Sequence, residues 1–155
     1  MRIAVLDVSD ELIAREVLEL QRRAYRVEAA LIGSNDIPPL RESVHELQVC
    51  GETFLGAFMG GGLVGCVSWK LKSETIDLHR LVVDPGHFRR GIGTALVRAA
   101  LDANPGATRA IVQTGAANEP AKTLYLREGF TLTDELEPIP GLAVARFSRQ
   151  LTSEV

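Results

Sequence analysis

The chain has 155 residues, which fits one domain spanning 1–155 and able to bury about two thirds of its unfolded surface. Apolar residues make up 46% and charged residues 24%, excluding a wholly disordered chain, and a net charge of -3 argues against a nucleic-acid-binding surface, which needs clustered excess Lys and Arg. No apolar run reaches the ~18 residues of a membrane span and the first residues are too short for a signal peptide, so the expected location is cytoplasmic, with no membrane or nucleic-acid partner.

Arg2 to Asp7 reads as an opening strand, after which Ser9 or Asp10 is placed to cap a helix. Ile13, Val17, Leu20, Ala24 and Leu31 mark its apolar stripe. Glu28 lands near that stripe, as a carboxylate at its wet edge or facing a pocket, and the neighbouring Tyr25 reads as core. Gly33 to Pro39 cannot continue a helix because its prolines fix φ, and it forms a connector or a lid. Arg41 to Val49 follows as a short second helix.

Phe54 to Met59 and Leu63 to Leu71 are apolar runs joined by Gly60-Gly61-Gly62, a strong hairpin pattern. Lys72-Ser73-Glu74 turns the chain into Thr75 to Val83. Strict alternation there puts Asp77, His79, Leu81 and Val83 on one face and Leu78, Arg80 and Val82 on the other. Asp84-Pro85-Gly86 breaks that strand. After Arg89 and Arg90, Gly91 and Gly93 open a helix whose apolar face is Ile92, Ala95, Leu96, Ala99 and Ala100. Free amides, the positive end of the helix dipole, two arginines and glycines that let a ligand approach make Arg89 to Thr94 a phosphate site.

Asn104-Pro105-Gly106 stops that helix, and Ala110 to Val112 is a short buried strand. Asn118 is placed to cap a last helix with Pro120 in its first turn, Ala121, Leu124 and Tyr125 inward and Gly129 ending it. Phe130 to Thr133 and Leu142 to Leu151 are final strands around a Pro-containing loop. Cys50 and Cys66 sit in unlike contexts and read as buried thiols, so neither a disulfide framework nor a metal site is expected.

The glycine turn lacks the Gly-Lys-Ser/Thr ending of a P-loop, and Leu96 stands where a dinucleotide fold needs its third glycine. A second motif, Asn118-x-x-Ala121-x-x-Leu124-Tyr125-x-x-x-Gly129-Phe130, gives the turn its meaning. Together the two motifs make Asp77 to Phe130 resemble the GNAT superfamily of acyl-CoA-dependent N-acetyltransferases. Phe88 occupies the family's Arg/Gln position when Gly91 and Gly93 are the glycine pair; the frame Arg90, Gly93, Ala95 restores the pattern.

The resemblance implies an α/β (α+β) fold: a mixed, mostly antiparallel sheet of six or seven strands, about four helices on its two faces, and a central V-shaped opening. It implies transfer of an acetyl group from acetyl-CoA to a primary amine, small molecule or peptide, in a ternary complex without a metal. The alternative is a non-catalytic acyl-CoA-binding sensor or interaction module. Leu81, Val82 and Val83 would offer backbone groups to the pantetheine arm, and Arg89, Arg90, Gly91, Ile92, Gly93 and Thr94 would hold the pyrophosphate. Asn118 matches a cofactor-side polar residue, Tyr125 the general acid that protonates the leaving thiolate, and the Val83 N–H would meet the oxyanion. Glu28, Asp77, His79 or water would take the proton from the amine. Folds of this kind often pair as homodimers.

Overall fold

The computed structural model describes residues 1–32 and 42–151, with the side chains of Tyr25 and residues 28–32 outside that description. The expectations on Tyr25, Glu28, Leu31, the Gly33–Pro39 loop and Arg41 therefore fall outside the described residues. In order, the elements are β1 (Arg2–Leu6), α1 (Glu11–Ile32), α2 (Val44–Gln48), β2 (Thr53–Met59), β3 (Gly62–Lys72), β4 (Thr75–Val83), α3 (Ile92–Asp102), β5 (Arg109–Gly115), α4 (Glu119–Arg127), β6 (Thr131–Ile139) and β7 (Leu142–Gln150). The seven strands form one sheet in the order β1-β2-β3-β4-β5-β7-β6. Every neighbouring pair is antiparallel except β4 and β5, which run parallel.

Both faces are covered. Val17, Leu18 and Leu20 of α1 and Leu47 of α2 pack on Phe54, Leu63, Cys66 and Val82. On the other face, Ile92, Leu96, Val97 and Ala100 of α3 and Tyr125 of α4 pack on Ile76, Leu78, Val112 and Phe147. Burying each large apolar side chain contributes about 1.5–3 kcal/mol. The fully buried positions of α3 are Ile92, Gly93, Leu96, Val97 and Ala100, while the expected Ala95 and Ala99 are only half-buried, Ala99 packing against the same core.

Local chemistry sets the element ends. Asp10 caps α1, its Oδ1 accepting from the Leu12 and Ile13 amides at 2.9 and 3.4 Å. Ser43 and Glu46 form a reciprocal capping box that starts α2 at Val44. The hairpin turn uses Gly60 and Gly61, at φ 60° and 82°, where side chains are disfavoured. β6 runs on to Ile139 through Pro138 instead of ending at Thr133. It is an edge strand, where a missing amide donor costs no ladder bond.

β4 departs from strict alternation. Ser68 of β3 pairs with Arg80 but Trp69 pairs with Leu78, leaving His79 as a bulge. The strand changes face there. Ile76 and Leu78 belong to the α3/α4 core with Leu81 and Val83 packed against it, whereas Val82 lies in the α1/α2 core. This corrects the expectation that Leu81 and Val83 share a face with Asp77.

Candidate active site

The parallel pair at the centre of the sheet is short. β4 and β5 are in register only from Thr75–Arg109 to Leu78–Val112, although β4 continues to Val83 and β5 to Gly115. Beyond Leu78 the two strands part, giving the expected V-shaped opening. The Asp84 amide donates to the Val64 carbonyl at 2.8 Å, which fixes the direction of its neighbours. Val82 therefore turns its backbone to β3, opposite Cys66, and the amides and carbonyls of Leu81 and Val83 turn into the gap. Val82 thus offers that gap neither its backbone nor its buried side chain.

At the mouth of the gap, a short 3-10 helix (Pro85–His87) leads to Arg89 and Gly91, both in the left-handed region at φ 65° and 74°. Gly91 is the N-cap of α3 and brings no capping side chain, so the Ile92, Gly93 and Thr94 amides precede the first helical bond, from the Ala95 amide to the Gly91 carbonyl at 3.0 Å. A Cβ built on Gly91 would meet nothing within 4 Å, whereas one on Gly93 would lie 2.8 Å from Leu124 Cδ1, with the Leu81 and Val83 side chains at 3.8 Å. Gly93 is thus where α3, α4 and the end of β4 converge. The helix start sets the glycine pair at Gly91 and Gly93. Arg89 and Arg90 are exposed beside it, as is Phe88.

The turn is tied to α1. Asp84 accepts from His87 at 2.9 Å and lies 3.5 Å from Arg23. Partial burial raises the Asp84 pKa, but the His87 and Gly86 hydrogen bonds and the Arg23 charge outweigh it and hold the carboxyl below its ordinary value.

Asn118 caps α4, its Oδ1 accepting from the Ala121 amide at 3.3 Å while Nδ2 reaches Thr114 Oγ1 of β5 at 3.5 Å. The helix ends in a Schellman motif: Phe130 N–H to Tyr125 C=O at 2.9 Å and Gly129 N–H to Leu126 C=O at 3.1 Å, with Gly129 at φ 87°. Tyr125 is buried, its ring edge-on to Phe130 and tilted against Phe147, each centroid 5.7 Å away.

Below the split, a cleft of about 600 Å³ opens among β4, β5, β7 and β6, with Asp77 and His79 on one wall and Arg109, Gln113, Asp134 and Arg146 on the others. His79 Nε2 is 3.2 Å from Asp77, and its Nδ1 is 3.5 Å from Glu52. The bulge places this imidazole between two carboxylates at the cleft.

Behind His79 lies a network without any sequence motif. Arg80 binds Glu42 at 2.6 and 2.9 Å, Glu52 at 2.7 and 3.2 Å and Gln21 at 2.8 Å. Ser68 donates to Glu52 at 2.6 Å. Burial works against the charge on Arg80, but the two carboxylates overcome it and raise its pKa. For Glu52 burial raises the pKa, and hydrogen bonds from Arg80 and Ser68 reverse the shift and lower it. The available signal was an arginine inside a strand flanked by leucines and valines, where a charge needs buried partners.

The family model for the acetyltransferase (GNAT) domain matches residues 50–132, from the start of β2 to the Phe130 that closes α4 and just beyond. The chain belongs to the GNAT family. This GNAT chain is 37% identical over 145 residues to the UPF0157 protein YqkA of Bacillus subtilis (strain 168), covering 94% of the chain and 42% of that relative, so it spans less than half of the relative's length. Solved structures share the fold. An acetyltransferase from Thermus thermophilus superposes with a TM-score of 0.79 at 22% identity, covering 97% of this chain and 98% of that one. The PaiA N-acetyltransferase from Thermoplasma acidophilum, solved in complex with coenzyme A, gives 0.75 at 18% identity and covers 97% and 99%.

Proposed function

We propose that this GNAT chain transfers an acetyl group from acetyl-CoA to a primary amine, by direct attack within a ternary complex. One observation carries the reading: the unpaired edge of β4 and the uncapped start of α3 meet at Gly93, so backbone donors line a continuous path from the turn into the gap. That path fits the cosubstrate. Open space at Gly91, left-handed backbone at Arg89 and Gly91, and three leading amides suit a pyrophosphate, with Arg89 and Arg90 beside it.

Acetyl-CoA, when bound, supplies an activated acyl group as a thioester. The Leu81 and Val83 backbone groups hold the pantetheine arm as an added strand, and the Val83 amide meets the carbonyl oxygen as it gains negative charge. Asp77 and His79 stand on the acceptor side, where a carboxylate or imidazole takes the proton that the amine loses on forming its new C–N bond. Tyr125 gives a proton to the departing sulfur. Asn118 positions Tyr125 by starting α4 beside β5. Free cysteines at 50 and 66 agree with a reducing, cytoplasmic setting.

Thiol release measured with a panel of primary amines tests the reading. Tyr125→Phe keeps the buried ring, so kcat should fall by about 10²–10⁴ while CoA affinity holds. Tight CoA binding with no turnover across all amine classes would instead assign the chain as an acyl-CoA sensor or interaction module.

A further inference from the structure

We propose that the acceptor is a primary amine carrying a carboxylate at its far end, a short peptide or an extended amino acid, and that Arg109 binds that acid. The inference rests on the acetyl-transfer reading and names the substrate class of the same site.

The charges in the cleft are unequally committed. Asp77 is engaged by Lys72 at 3.3 Å and His79 at 3.2 Å. Asp134 is held by both ends of Arg146, at 2.8 and 2.7 Å. Glu52, behind His79, is occupied by Arg80 and Ser68. A polycationic acceptor would have to displace one of these pairs. Arg109 differs: its backbone amide donates to the Glu74 carbonyl at 3.4 Å, and among the described residues its guanidinium has no hydrogen-bond or ion-pair partner. Among the described residues, the one uncommitted charge lining the cleft is therefore positive, and a guanidinium fork matches a carboxylate with two parallel hydrogen bonds.

The spacing gives the acceptor a length. Arg109, Ile111 and Gln113 follow one another down the cleft face of β5, and the strands part after Val112. From Arg109 to Gln113 is four steps at ~3.3 Å, about 13 Å, an interval the arginine side chain shortens. A single α-amino acid, with amine and acid on one carbon, does not span it. Two or three extended residues at ~3.3–3.6 Å each cover roughly 7–11 Å and do.

Steady-state acetylation of matched pairs tests this: triglycine against triglycinamide, lysine against cadaverine, and O-phosphoethanolamine against ethanolamine. Triglycine and lysine should exceed their acid-free partners in kcat/KM by roughly 10- to 100-fold, the range of a charge-assisted hydrogen bond. Arg109→Ala should abolish that margin through KM, with kcat and CoA affinity unchanged, and Arg109→Lys should restore part of it. Turnover without acid preference, or a preference that survives Arg109→Ala, overturns this inference alone. Stronger selection for O-phosphoethanolamine overturns the carboxylate assignment. No turnover with any amine overturns the acetyl-transfer reading and this inference with it.

Discussion

Arg80 grips Glu42 with both ends of its guanidinium, at 2.6 and 2.9 Å, across 38 residues of chain. The same group binds Glu52 ahead of β2 and Gln21 of α1, so one buried cation ties the α1/α2 layer to the central strand beside the cleft. Its side chain is only 9% exposed. Arg80→Met would leave two carboxylates half-buried without their counter-charge, and breaking such a pair costs about 3–5 kcal/mol. Thermal melts should show Tm lower by roughly 6–20 °C. A change below about 1 kcal/mol would mean the network behaves as an exposed ion pair.

Acid should unfold the protein through the same groups. Glu52 and Asp84 titrate below their ordinary values because hydrogen bonds to their charged forms outweigh burial, and Asp134 does so chiefly through its hydrogen bond from Arg146. A carboxylate with a depressed folded pKa adds stability above its unfolded value, about 4, and that stability is lost as pH falls through the folded value. Urea midpoints should therefore hold between pH 7 and 5 and drop below about 4. Glu52→Gln should lower the midpoint at pH 7 and flatten the acid limb; an acid limb as steep as the parent's would show that Glu52 does not contribute to it.

The two thiols should be poor nucleophiles in the native protein. Complete burial pushes Cys66 up to about 12, and burial raises the half-buried Cys50 as well, since a thiolate loses its hydration there. Ellman's reagent at pH 7.5 should label Cys66 only after unfolding and Cys50 slowly before it. Immediate reaction at both would contradict the packing of β3.

Much of the fold was legible because it is written locally. Asp10 and Asn118 as caps, Gly60-Gly61 as a turn and Gly129 as a helix end each act within a few residues, as does the glycine turn before α3. The Arg80 network was not, since Glu42 and Glu52 reach it only through tertiary packing. Nor was the flip of β4 at His79: a bulge is a mismatch between two strands, and Thr75 to Val83 alone carries no trace of it. Pro138 suggested a loop because the sequence does not reveal that β6 lies at an edge. The parting of β4 and β5, which makes the gap, is likewise a property of a pair.

Coenzyme A titrated calorimetrically against the parent and Gly91→Glu tests most directly whether the start of α3 holds the pyrophosphate. Gly93→Glu is the poorer probe because its side chain would collide with Leu124, whereas Gly91 faces open space and the left-handed backbone adds only ~1–2 kcal/mol of strain. With folding checked by its melt, Gly91→Glu should bind coenzyme A at least ~10-fold more weakly, because a carboxylate would stand where backbone amides receive phosphate. Unchanged affinity in a folded variant would contradict the site.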